Sequence, residues 1–380
     1  MIYLDAAATS AVRREVLEAM WPYLTGDFGN PSSHHTVGES AARALTAARA
    51  SVAAWLGCRA SEVTFTSGGT EADNLAVKGI ALANPRGRHI VTTPIEHEAV
   101  LESVDYLVRQ HGFTATFVPV GTDGLVSPDD FAAALRPDTT LASVMLANNE
   151  VGTVQPIAEL AALAHAHGIP VHTDAVQAAG WLDLDVHALG VDALSVSGHK
   201  IGAPKGIGAL YVRGRIPIEP VLHGGGQERG RRSGTENVAG AVALATAARL
   251  AGQSRERNVV AASAARDGFV AAVLGEVPDA RLTGHPSARL PGTASFVFPG
   301  TNGEAVLLEL ERRGIVSSSG SACAAGSEDA SHVLLALGFD QDVARTAVRF
   351  SWGAEVDADA LASVAPAVGD AVRTVAALGR

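Results

Sequence analysis

Cysteine is nearly absent from this chain: Cys58 and Cys323 are the only two in 380 residues. Two cysteines cannot build a disulfide framework, so the composition reads as that of a reducing, cytoplasmic protein. Lysine is almost as scarce. Lys and Arg together number 29, yet only Lys78, Lys200 and Lys205 are lysines. A bias toward arginine accounts for this, and it makes any retained lysine a candidate for chemistry as an amine. Basic runs are missing and the net charge is −11, which argues against direct binding of nucleic acid. No uncharged apolar run reaches membrane-spanning length, so no membrane partner is expected. The first residues, MIYLDAAATSAVRREV, lack the basic and then apolar regions of a signal peptide. Internal repeats and low-complexity linkers are missing as well.

What the chain does have is an apolar content of 47%, ample for a buried core. Residues 39–56 place Ala41, Leu45, Ala48, Val52 and Trp55 on one helical face, with Gly57 as a stop. Short β-rich runs follow at 63–66, 89–93, 114–120, 141–146, 171–173, 193–197 and 207–212. Helical stretches at 71–83, 97–111, 156–167 and 236–251 separate several of them. This alternation predicts an α/β fold with a mainly parallel sheet covered by helices on both faces. After about residue 255 the texture changes. Helices near 258–275 and 303–313 flank a strand at 294–299, and a helix over 357–378 ends the chain. The expected division is an N-terminal segment, 1–15, that joins a small α+β domain at 256–380, with a large domain at 16–255.

Ligands of such sheets bind at the carboxyl ends of the strands, and polar clusters occur there. TFTSGGTEADN (64–74) is a strand, a Ser-Gly-Gly-Thr turn and a helix start. Gly69, Thr70 and nearby amides could cradle a phosphate; an ordinary capped helix start is the alternative. VHTDAVQAAG (171–180) ends a strand on Asp174, with Gln177 one turn later. Asp174 could pair with a protonated pyridine nitrogen and Gln177 with a ring hydroxyl, or they could be a helix cap and a solvated amide. SVSGHKIGAPKGIGALYV (195–212) sets Lys200 after a strand and a small-residue turn. Burial would keep its amine partly neutral for Schiff-base chemistry. Ser197 and His199 could add phosphate contacts. Phosphate cradle, acid and lysine together describe pyridoxal 5′-phosphate, an electron sink. His97 and Asn149 also follow strands, and Arg349 is a candidate for gripping a substrate carboxylate.

These segments resemble the cysteine desulfurases, pyridoxal-phosphate enzymes of aminotransferase fold type I, class V. The resemblance runs nearly end to end. It is carried by YLDAAAT (3–9), FGNPSS (28–33), TSGGTEADNLAVKG (66–79), NNEVGTVQPI (148–157), HTDAVQAAG (172–180), SGHKIGAPKGIGALYVR (197–213), HGGGQERGRRSGT (223–235) and SSGSACAAG (318–326).

It implies a large domain with a seven-stranded sheet plus a small C-terminal domain that carries Cys323. It implies Lys200 as the Schiff-base lysine, Asp174 at the pyridine nitrogen, Gln177 at the ring oxygen and His97 stacked on the ring as a proton shuttle. Gly69, Thr70, Ser197, Gly198 and His199 would hold the phosphate. Thr235 would reach it from a second subunit, making a homodimer. Asn149 would assist the ring hydroxyl or substrate, and Asn30 and Arg349 would bind the carboxylate of L-cysteine.

Cys323 would take the sulfur as a persulfide, release alanine and pass the sulfur to acceptor proteins, an iron–sulfur scaffold or a tRNA-thiolation enzyme. No metal is required, although Cys323 is a candidate transient cluster ligand. The long spacing from Cys323 to HVLLALG (332–338) resembles the group with an extended catalytic loop. Two features depart from the family pattern: Gly202-Ala203 before Pro-Lys-Gly, and the acidic AAGSEDASH (324–332).

A serine hydrolase is the rival from another class, since Ser197 to Lys200 fits S-x-x-K. No S-D-N, K-T-G or G-x-S-x-G accompanies it, and it leaves the phosphate cradle unexplained. A non-catalytic sulfur-transfer scaffold would not need Lys200, Asp174 and His97 together.

Overall fold

β-Branched and small apolar residues fill the strands of a seven-stranded sheet in this computed structural model, which describes residues 1–83, 86–320 and 330–378. Across the sheet the order is Val63–Thr66, Gly208–Val212, Ala193–Ser197, Val171–Asp174, Thr139–Ser143, His89–Thr92 and Thr114–Phe117. Gly208–Val212 is antiparallel to both neighbours, and the other pairings are parallel. Every residue of the inner strands is buried, as a sheet covered on both faces requires. Only the edge strand Thr114–Phe117 is partly exposed, and it ends before the expected limit at 120, ahead of Pro119, which has no N–H to donate.

The helix expected over 39–56 runs from Thr36 to Trp55, capped by His35, whose Nδ1 accepts the Gly38 N–H. Its Ala41, Leu45, Ala48 and Val52 are buried, and Gly57 follows in the left-handed region at φ +67°.

A second core lies around the antiparallel sheet Ala347–Ser351, Thr293–Val297, Arg281–Leu282. Phe269 meets Phe350, Phe296 and Trp352 edge-on there. Each such pair contributes about 0.5–1.5 kcal/mol beyond burial. The N-terminal strand Ile2–Tyr3 pairs in parallel with Ile315–Val316, and Leu4 is buried in this second core. The helix Ala358–Leu378 is long and apolar enough by composition to cross a membrane; its Leu361, Val364, Val368 and Val372 pack into the second core.

One expectation is corrected. The helices expected at 236–251 and 258–275 are a single helix, Val238–Glu276, so the expected division at 255/256 falls inside it. The intervening polar stretch holds good helix formers (Gln253, Arg255, Glu256, Arg257) and no proline. It is the exposed middle of a rod whose first half packs in one core (Leu244, Ala248) and whose second half packs in the other (Phe269, Val273).

Candidate active site

Three strand ends converge on a cavity of about 260 Å³. Val63–Thr66 runs through a short turn into the helix Gly69–Ala83, whose first residues, Gly69 and Thr70, line the cavity. A Cβ on Gly69 would sit 2.8 Å from Val176 Cγ2, so only glycine permits this close approach. The unpaired N–H groups of a helix start favour an anion. Ser197, at the end of Ala193–Ser197, and His199 line the same cavity. Burial, aided by Lys200 and Lys205, lowers His199 to about 4, so it is neutral near pH 7; its Nδ1 lies 3.1 Å from Thr9 Oγ1. Gly198 does not line the cavity. Its N–H donates to Ile207 O at 3.0 Å, and a Cβ would meet Ile207 and Ala203, so it shapes the turn instead.

Asp174 closes the strand Val171–Asp174 and is 5% exposed. It accepts the Val176 N–H at 2.8 Å. Burial raises its pKa, while His97 and Lys200 pull it back down. Lys200 ends the tight turn Gly198–Lys200, and its Nζ donates to Ala8 O at 2.9 Å and to Ala7 O. Burial, then Arg349, lowers it to about 8, so part of its population is free amine at neutral pH. Gln177 Nε2 donates to the same Ala7 O at 3.0 Å. His97 caps the helix Glu98–His111 with Nδ1 accepting the Ala99 N–H at 3.0 Å, which leaves a neutral ring's proton on Nε2. The other two lysines lie elsewhere. Lys78 donates to Asn74 Oδ1 and sits over the Tyr106 ring, and Lys205 is exposed.

Arg349 also lines the cavity and is buried. Its guanidinium is already engaged: Nη2 donates to Asp5 Oδ1 at 2.8 Å, and Nη1 to Asn149 O at 2.8 Å and Gly320 O at 3.1 Å. Nε has no partner. Asn149 lines the cavity too. Asn30 and Thr235 do not. Asn30 is exposed, with Oδ1 accepting the Ser32 N–H, and Thr235 is exposed on the stretch that precedes Val238–Glu276. Cys323 falls in 321–329, outside the described residues. Cys58 is half-buried, and burial pushes its thiol up to about 12, which leaves it inert.

A larger cavity of about 320 Å³ shares Lys200 and Gln177 but contains neither the helix start nor Asp174. The smaller one therefore holds the chemistry. Its donors fit pyridoxal phosphate: a helix N-terminus for the phosphate, a buried acid whose charge calls for a cation, and an amine lowered to about 8. Sequence reasoning did not single out Asp73, Glu96 and His172. All three are buried; the charge of Asp174 acts on Asp73 and Glu96, His172 lies 3.7 Å from Asp73, and Glu96 is next in sequence to His97.

Comparison with known proteins agrees with this geometry. Residues 2–363 match the family model "Aminotransferase class-V". The chain is 45% identical to a cysteine desulfurase IscS of Methanosarcina thermophila, over 99% of this chain and 94% of that one. It is 48% identical to an IscS-like cysteine desulfurase of Mycobacterium tuberculosis H37Rv, over 96% and 95%. A solved NifS-like protein superposes with a TM-score of 0.91 at 36% identity, covering 98% of this chain and 99% of its own. The chain belongs to the class-V aminotransferase family.

Proposed function

We propose that this chain is a pyridoxal 5′-phosphate-dependent cysteine desulfurase, a transferase that moves the sulfur of L-cysteine to Cys323 as a persulfide and releases L-alanine. The observation that carries this reading is one cavity holding a lysine amine lowered to about 8, a buried strand-end acid and a helix N-terminus. When bound, the cofactor withdraws electrons from the bonds at the substrate α-carbon. Gly69 and Thr70 would receive its phosphate with Ser197 and His199, and Asp174 would favour a protonated pyridine nitrogen. Gln177 and Asn149 fix the ring oxygen. Lys200, free as an amine in part near pH 7, takes and returns the α-proton. His97, with its proton on Nε2, is the second proton carrier.

Asn30 and Arg349 bind the substrate carboxylate. For Arg349 the donor left for the ligand is Nε, which has no partner among the described residues. The exposed position of Thr235 supports a homodimer in which each chain completes the other's phosphate site. A scarcity of cysteine suits a reducing cytoplasm. The persulfide passes to protein acceptors, an iron–sulfur scaffold or a tRNA-thiolation enzyme, by thiol attack on its outer sulfur.

The test incubates wild type and C323S with L-cysteine and a thiol reductant, then measures alanine, sulfide and the cofactor absorbance. Equimolar alanine and sulfide from wild type, lost in C323S while the absorbance remains, supports the reading. Equal turnover by C323S would rule out Cys323 as sulfur acceptor.

A further inference from the structure

Three carboxyls from three different elements crowd together at this site, and the mechanism uses only one. Asp73 lies on the helix Gly69–Ala83, Glu96 follows the strand His89–Thr92, and Asp174 ends Val171–Asp174. They are 1%, 0% and 5% exposed. Among the described residues, no arginine or lysine forms an ion pair with Asp73 or Glu96.

Each of these two has a buried oxygen left without a partner among the described residues. Glu96 Oε1 accepts Thr93 Oγ1–H at 2.7 Å and the Met145 N–H at 3.0 Å, while Oε2 is buried without a partner among the described residues. Asp73 Oδ1 is buried without a hydrogen-bond partner among the described residues, 3.7 Å from His172 Nε2.

Counting protons explains the orphans. His172 is fully buried, with Nδ1 2.9 Å from Ser143 Oγ and Nε2 3.0 Å from Ser195 Oγ. Those two contacts occupy both ring nitrogens, whichever of them carries the proton of the neutral ring. At 3.7 Å His172 Nε2 is beyond hydrogen-bond distance of Asp73 Oδ1, so no proton of that chain serves it. A buried oxygen without a donor is unfavourable as part of an anion and far less so as a carboxylic acid carrying its own proton.

We propose that Asp73 and Glu96 are positioning residues that keep their carboxyl protons in the working enzyme, leaving Asp174 the only anion of the three. The consequence for catalysis rests on the cofactor reading above; the protonation itself does not. Burial, together with the charge of Asp174, pushes Asp73 well up and Glu96 to about 8. Burial drives His172 down to about 3, so no imidazolium faces Asp73. His97 and Lys200 act on Asp174, pulling it down, and not on Asp73 or Glu96. A second anion beside Asp174 would favour the protonated form of Lys200 and reduce its free amine.

Infrared spectra of the full-length protein, labelled with carboxyl-¹³C aspartate or glutamate, test this directly near neutral pH. The expected result is a protonated-carboxyl C=O band in unmutated protein, lost from the aspartate label in D73N and from the glutamate label in E96Q. In parallel, the pH titration of the cofactor absorbance should keep its midpoint within about 0.3 pH unit in both amide variants, since each mimics the neutral acid. A wild-type protein with no protonated-carboxyl band would overturn the proposal even if a variant fails to fold. So would a midpoint moved by about one pH unit or more in D73N or E96Q. If the cofactor reading itself is wrong, no protein shows the absorbance, and the infrared result still decides the protonation.

Discussion

The residues at the strand ends and those on the exposed stretches around Asn30 and Thr235 differ in how completely one chain settles them. Lys200, Asp174, Thr70, Ser197 and His199 meet in a single cavity, each fixed by a strand end or helix start and by backbone hydrogen bonds. Asn30 and Thr235 are exposed and touch no part of it. The lesson is that the sheet supplies the amine, the acid and most of the anion cradle by itself. The contacts proposed for Asn30 and Thr235 are not made within this cavity.

That contrast can be broken first at Lys200. K200A should lower alanine formation by roughly 10³-fold or more and abolish the lysine-linked cofactor absorbance, read by spectrophotometry. D174N should follow, costing about 10²-fold in turnover by weakening the pyridinium charge. Substitutions on the exposed side should be milder. T235A should weaken cofactor affinity by about ten-fold, the worth of one charge-assisted hydrogen bond, in an equilibrium dialysis assay. A pH effect distinguishes the buried cluster from the surface. Glu96 rises from 4.5 unfolded to about 8 folded, so the folded chain holds a proton that the unfolded chain releases in that window. Stability should therefore fall as pH rises from about 4.5 to about 8, and E96Q should flatten that slope in denaturant titrations. The smallest effect belongs to Cys58: C58S should change turnover by less than about two-fold, because its thiol is inert at about 12.

Much of this was legible in the sequence, because strand-end chemistry is written locally. A strand followed by Ser-Gly-Gly-Thr, by Asp, or by Ser-Gly-His-Lys announces its polar cluster without tertiary knowledge. The rarity of lysine also pointed to Lys200, and the structure keeps Lys78 on Tyr106 and Lys205 in solvent. What escaped depended on distant contacts. Arg349 is held by Asp5, 344 positions away, and no local pattern encodes that pair. Asp73 sat in a quoted motif, but only the fold brings it beside Asp174, Ser195 and His172. The unbroken helix Val238–Glu276 is hard to see in the sequence because a polar middle looks like a boundary, although nothing in it ends a helix. Gly198 was grouped with the phosphate contacts by its neighbours, whereas its N–H is spent on Ile207.

The central claim is that Lys200 is the amine that holds the cofactor, and one chemical trap tests it. Purified protein is reduced with borohydride, digested, and its cofactor-bearing peptide identified by mass spectrometry. The account predicts a phosphopyridoxyl group on Lys200 alone. A label on Lys78 or Lys205, or a cofactor that is bound but not trapped on any lysine, would contradict it.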